Sequence, residues 1–116
     1  MTLKLSAEEI DGIKGKVEKQ TYLTTVELFY EGQIPHVAYL FIQGQLQLGK
    51  RGRAHKNVEP GTVIGLTELL ENKPANYFAK IKAGSRVLIL DRSTIKELYT
   101  LLGLSRYANR SKFDQI

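Results

Sequence analysis

Four cations crowd residues 50–56, KRGRAHK: Lys50, Arg51, Arg53 and Lys56. A second group, Arg106, Arg110 and Lys112, lies within 105–113. Basic side chains at this density can neutralise the phosphates of a nucleic acid. The first group has no aromatic interleaved for base stacking, and its glycine and polar neighbours read as a solvated hairpin tip. Other reactive types are sparse. There is no cysteine, which excludes thiol catalysis, disulfides and thiolate metal sites. His36 and His55 are the two histidines, both in loop-like segments without a carboxylate pattern, so no metal site is expected. Nothing matches a nucleophile elbow, a P-loop or a glycosidase carboxylate pair, and isolated Ser and Thr read as caps and strand residues. The chain is expected to be neither an enzyme nor the holder of a cofactor.

The elements around these residues describe one domain. A chain of 116 residues can build one real core but is short for two. The net charge of +5 favours an acidic partner in general terms. The opening MTLKLSAEEIDGIKGK is broken by charges and lacks the apolar core of a signal peptide. No apolar run approaches the roughly 20 residues that span a bilayer, so a cytoplasmic protein without membrane contact is expected.

Ser6 and Glu9 have capping-box spacing, and Ile10, Ile13 and Val17 recur on one helical face. Gly12 and Gly15 predict that this helix is short. The period then changes. TYLTTVELFY at 21–30 places Val26, Leu28 and Tyr30 at alternate positions. VAYLFI at 37–42 is a continuous apolar run, and QLQL at 45–48 alternates. HKNV, TVI, FAKI and VLIL are further short strands separated by turn residues. Such spacing argues an all-β sandwich or barrel rather than alternating βαβ units. Asp91 or Ser93 can then cap a helix whose stripe is Ile95, Leu98, Tyr99 and Leu102, with Gly103 as its stop.

In order and spacing, several of these pieces resemble the cyclic-nucleotide-binding domain family over roughly residues 17–102. Glu31-Gly32 matches its E-G-(D/E) turn, with Gln33 in place of the acid. Tyr39 to Gly44, YLFIQG, matches its strand and turn, Pro60 to Gly65, PGTVIG, its approach to the phosphate cassette, and Val87 to Arg92, VLILDR, the strand leading to the closing helix. The resemblance implies a mainly β fold, a double-stranded β-helix or jelly-roll of the cupin-like type, with flanking N- and C-terminal helices. Residues 1–116 would form a single domain, with the roll at roughly 17–92, the closing helix at 93–102 and a tail at 103–116.

The resemblance also locates a cassette, IGLTELLENKPA at 64–75. The family pattern places a Glu after the glycine, for the ribose hydroxyl, and an Arg after the following loop, for the cyclic phosphate. Here Gly65 is kept, Leu66 stands at the Glu position, and Ala75 or Asn76 at the Arg position. Removing one partner of a buried charge pair costs ~3–5 kcal/mol, at least two orders of magnitude in affinity at about 1.4 kcal/mol per tenfold. Glu68 adds a negative charge where the phosphate would lie. Lys73 and Lys80 are candidate replacement cations and Asn76 a neutral donor, while Leu66 is expected to fill part of the pocket.

The leading expectation is therefore a regulatory adaptor that contacts another signalling protein and does not bind cAMP or cGMP in the usual way. The alternative is a sensor of a cyclic mono- or dinucleotide using a modified cassette of Gly65, Leu66, Thr67, Glu68, Ala75, Asn76 and Tyr77. Nucleic-acid binding through Lys50, Arg51, Arg53 and Lys56 is the weakest of the three. After Leu102 too few residues follow for a helix-turn-helix, which points to protein contact or self-association as the output. Leu98, Tyr99, Leu102, Tyr107 and Phe113 are the expected contact residues, since three large apolar groups (Tyr107, Phe113 and Ile116) exceed what a solvated tail carries.

Overall fold

The computed structural model describes residues 3–53 and 55–102, the side chains of 99–102 excepted. A two-residue strand β1 (Leu3–Lys4) precedes α1 (Ala7–Ile13). Ser6 opens that helix. Its hydroxyl accepts from the Glu9 N–H at 3.1 Å while the Glu9 carboxylate accepts from the Ser6 N–H at 3.0 Å. This reciprocal pair satisfies two donors at the helix start. The strands β2 (Glu18–Thr21), β3 (Val26–Phe29), β4 (Ala38–Gln43), β5 (Leu46–Gly49), β6 (Lys56–Val58) and β7 (Thr62–Ile64) follow. After them come α2 (Leu66–Glu71), β8 (Phe78–Ile81), β9 (Arg86–Leu90) and α3 (Arg92–Leu102).

Two antiparallel sheets result, in the orders β1-β7-β4-β9-β2 and β3-β8-β5-β6. The first sheet is buried on both faces, which is why β4 and β9 read as unbroken apolar runs. One face meets the helices: Leu40, Val63, Leu88 and Leu90 pack with Ile13, Leu69, Ile95 and Leu98. The other face meets the second sheet, where Phe41, Ile64 and Val87 pack with Phe29, Leu46, Ala79 and Ile81. The mainly β roll with short flanking helices is thus the observed architecture.

The stretch 21–30 departs from the single alternating strand read from it. β2 and β3 belong to different sheets, and a bulge between Glu27 and Phe29 shifts the register of β3. Phe29 therefore points into the core at 1% exposure while Tyr30 is 60% exposed. An inserted residue reverses which side chains face inward beyond it. β2, sequence EKQT, escaped the sequence reading because it is a largely exposed edge strand.

Two tight joints hold the roll. Gly44 has φ +106°, and a Cβ there would meet the backbone Cα of Ser85 at 2.6 Å. The buried Ser85 hydroxyl accepts from the Gln45 N–H at 2.9 Å and donates to the Gln45 carbonyl at 3.3 Å, locking the corner between β4 and β5 to the start of β9. At the other joint, Asp91 caps α3 by accepting from the Thr94 N–H at 2.7 Å. That bond holds the Asp91 carboxyl below its ordinary pKa. The neighbouring Arg92 guanidinium donates to the Leu69 carbonyl in α2, tying the closing helix to the cassette helix.

Candidate functional site

The cassette begins where β7 leaves the first sheet. Gly65 turns with φ +77° and forms the N-cap of α2 with no side-chain hydrogen bond. A Cβ at this position would touch the Phe29 ring at 3.4 Å and the Val37 carbonyl oxygen at 3.6 Å, so the glycine packs closely against the roll. The helix ends at Asn72, also left-handed with φ 54°, whose N–H bonds to the carbonyls of Glu68 and Leu69. The loop 73–76 then runs back to the turn at Gly32. The Gly32 N–H donates to the Ala75 carbonyl at 2.7 Å, and the Ala75 N–H donates to the Gln33 carbonyl at 2.8 Å. Ala75 is fixed from both sides and is 2% exposed between the sheets.

The Gly65 N–H is already engaged: it donates to the Tyr77 hydroxyl at 3.3 Å. The Tyr77 ring stands edge-on to Phe29, with centroids 5.3 Å apart, and Phe29 in turn lies against Tyr39 at 6.4 Å. This aromatic cluster lies on the rim of the inter-sheet core. Burial, and after it the Glu68 carboxylate, push the Tyr77 phenol up to about 12, against the lowering effect of the Gly65 N–H. Burial likewise raises Tyr39 and Tyr22. This stretch therefore brings together a neutral phenol, a nearby carboxylate and a buried alanine.

The proposed substitute cations point elsewhere. Lys73 pairs with Glu71 at 3.3 Å, and Lys80 lies over the Phe78 ring at 5.9 Å, its Cα paired with Glu27 and Gln47. Asn76 is exposed, while Thr67 and Glu68 are half-buried on α2. Leu66 packs, half-buried, against the helix-side core, while Phe29, Tyr39 and Tyr77 pack on the inter-sheet side. Sequence reasoning named Tyr77 but missed Phe29 and Tyr39, whose β-strand positions alone carried the signal.

Lys50, Arg51 and Arg53 lie on the tip joining β5 and β6, Lys56 opens β6, and all four are exposed. The tip is held partly by an acid, since the Arg51 N–H donates to the Glu31 carboxylate at 2.6 Å. Leu98, expected as a contact residue, is 3% exposed and packs into the helix-side core, so it offers no surface to a partner. The side chains of Tyr99 and Leu102, together with Tyr107 and Phe113, lie outside the described residues.

Comparison with known proteins agrees with this architecture. The family model for the cyclic nucleotide-binding domain matches residues 19–100. Among solved structures, the catabolite activator protein of Thermus thermophilus superposes with TM-score 0.66 at 23% identity, covering 89% of this chain and 51% of that one. A protein described with a cyclic-GMP-dependent signalling pathway of bacterial phytopathogenesis superposes with TM-score 0.74 at 20% identity, covering 85% of this chain and 82% of that one. A cyclic nucleotide-binding-like protein from Brucella abortus gives TM-score 0.60 at 20% identity, covering 83% and 86% respectively. A search of curated protein sequences returned no match. The chain belongs to the cyclic nucleotide-binding domain family. It is a regulatory module of that family, and it spans about half the length of the Thermus relative. Among the described residues, no helix is long and apolar enough to cross a membrane.

Proposed function

We propose that this module regulates a partner protein through direct contact and does not take cAMP or cGMP in its cassette. The observation that carries the reading is the bond from the Gly65 N–H to the Tyr77 hydroxyl, in a cassette with Ala75 buried beside it and Glu68 nearby. A cyclic phosphate entering there would have to displace the half-buried Tyr77 hydroxyl from the Gly65 N–H. Among the described residues it would find no free cation in exchange, and an unpaired buried charge is expensive. Lys73 and Lys80 support the same reading by being engaged elsewhere.

Calorimetry with cAMP, cGMP and cyclic dinucleotides tests this directly. The expected result is no heat of binding at micromolar concentrations. Micromolar binding that disappears when Gly65 is replaced by a bulky residue would overturn the adaptor and establish the sensor.

A further inference from the structure

Beside α1 the helix-side face of the first sheet opens into a groove of about 200 Å³. Its walls include the aliphatic side chains of Ile10 and Ile42, both half-buried. Three cations from three separate elements converge there: Lys14 after α1, Lys19 on β2 and Arg86 on β9. None of the three makes an ion pair or a side-chain hydrogen bond among the described residues, and Asp11 is the single carboxylate lining the groove. β2 is the edge of its sheet, so the groove is open on that side.

We infer that this groove docks an acidic, amphipathic segment of a partner protein, its apolar side chains on Ile10 and Ile42 and its carboxylates on Lys14, Lys19 and Arg86. This rests on the proposed regulatory contact and names its surface. Charge complementarity selects the occupant. Three unpaired cations over an aliphatic floor suit a segment carrying both carboxylates and leucine-like side chains. The chain's own tail is the wrong sign, since 103–116 carries Arg106, Arg110 and Lys112 against Asp114. A nucleic acid would find cations but, among the described residues, no aromatic ring lining the groove on which to stack a base.

The test is an NMR titration of the isotope-labelled 116-residue chain with a synthetic peptide of alternating Glu and Leu. A single-stranded oligonucleotide of equal charge and a Lys/Leu peptide serve as comparison probes. The Glu/Leu peptide is expected to shift amides of α1, β2, β4 and β9 around the groove. Its affinity should fall about tenfold or more, the equivalent of ~1.4 kcal/mol, in Lys19→Glu and in Arg86→Glu. Both side chains are exposed, so these variants should keep the fold, and their unshifted spectra check it. Binding should also weaken with added salt, and Arg51→Glu at the hairpin tip should leave it unchanged. No shifts, shifts centred on 50–56, or equal binding of the oligonucleotide in the groove would each overturn the inference. Cyclic-nucleotide binding by calorimetry would overturn the regulatory-contact proposal instead, so the two failures are distinct.

Discussion

Tyr77 gives the most direct physical check on the closed cassette. Its phenol is raised from its ordinary value of 10.0 to about 12, first by burial and then by Glu68. Above pH ~10 the unfolded chain releases the Tyr77 proton while the folded chain keeps it, so the unfolded state binds fewer protons and stability falls as pH rises. The contribution is fully present below the unfolded value and is lost as pH passes through the folded one. Two pKa units correspond to at most about 2.7 kcal/mol, and partial opening of the rim to solvent lowers this. Tyr77→Phe lacks that loss but leaves the Gly65 N–H without its acceptor, at a cost of about 1 kcal/mol. Wild type should therefore be the more stable protein near pH ~9, the two should converge near pH ~11, and their order should reverse above it. Urea midpoints at fixed pH measure the crossing, and phenolate absorbance of the native protein measures the titration. Tyr77 ionising near pH ~10 in the folded protein, or a constant gap between the two proteins across this range, would refute the packing described around Gly65.

Other perturbations test the joints around it. Gly44→Ala places a Cβ 2.6 Å from the Ser85 Cα at φ +106° and should cost about 3 kcal/mol or more, lowering the thermal midpoint by on the order of 10 °C. Ser85→Ala removes the acceptor of the part-buried Gln45 N–H and should cost about 1 kcal/mol in urea unfolding. Ala75→Arg buries a guanidinium with no partner between the sheets and should cost ~3–5 kcal/mol, with no recovery of the melting temperature on adding cAMP. Asp91→Ala removes the α3 cap and should cost about 1 kcal/mol. Because the Asp91 carboxyl is held low, this cap's stabilisation of wild type should fade as pH drops through the acid range, and the gap between the two proteins with it.

Much of the roll was legible because its strands are buried or alternate cleanly and its corners are glycines. The capping pair Ser6 and Glu9 and the cap at Asp91 were legible for the same local reason, since each acts within three residues. What escaped depended on contacts distant in sequence. The bulge at Phe29 is set by pairing with β8, and β2 acquires its strand from β9 rather than from its own polar residues. The expectation of a cassette without its usual charges rested on Leu66 and on Ala75 or Asn76. That Tyr77 takes the Gly65 N–H was not legible, because the partners are 12 residues apart and meet only when the loop folds back on Gly32. The groove draws Lys14, Lys19 and Arg86 from three elements, so no local cluster marked it.

The shortest strand has a consequence for handling the protein. β1 pairs only Leu3 and Lys4 with β7, reinforced by the Leu5 N–H donating to the Gly61 carbonyl at 2.7 Å. Beneath it, β7 is the triplet Thr62, Val63 and Ile64, buried throughout and apolar except for the Thr62 hydroxyl, which donates to the Glu59 carbonyl. Trimming the first five residues would turn that triplet into a bare sheet edge, a template for strand pairing between molecules. Solubility of the roll thus depends on a segment outside its recognisable motifs, and an expression boundary drawn at the family match would invite aggregation.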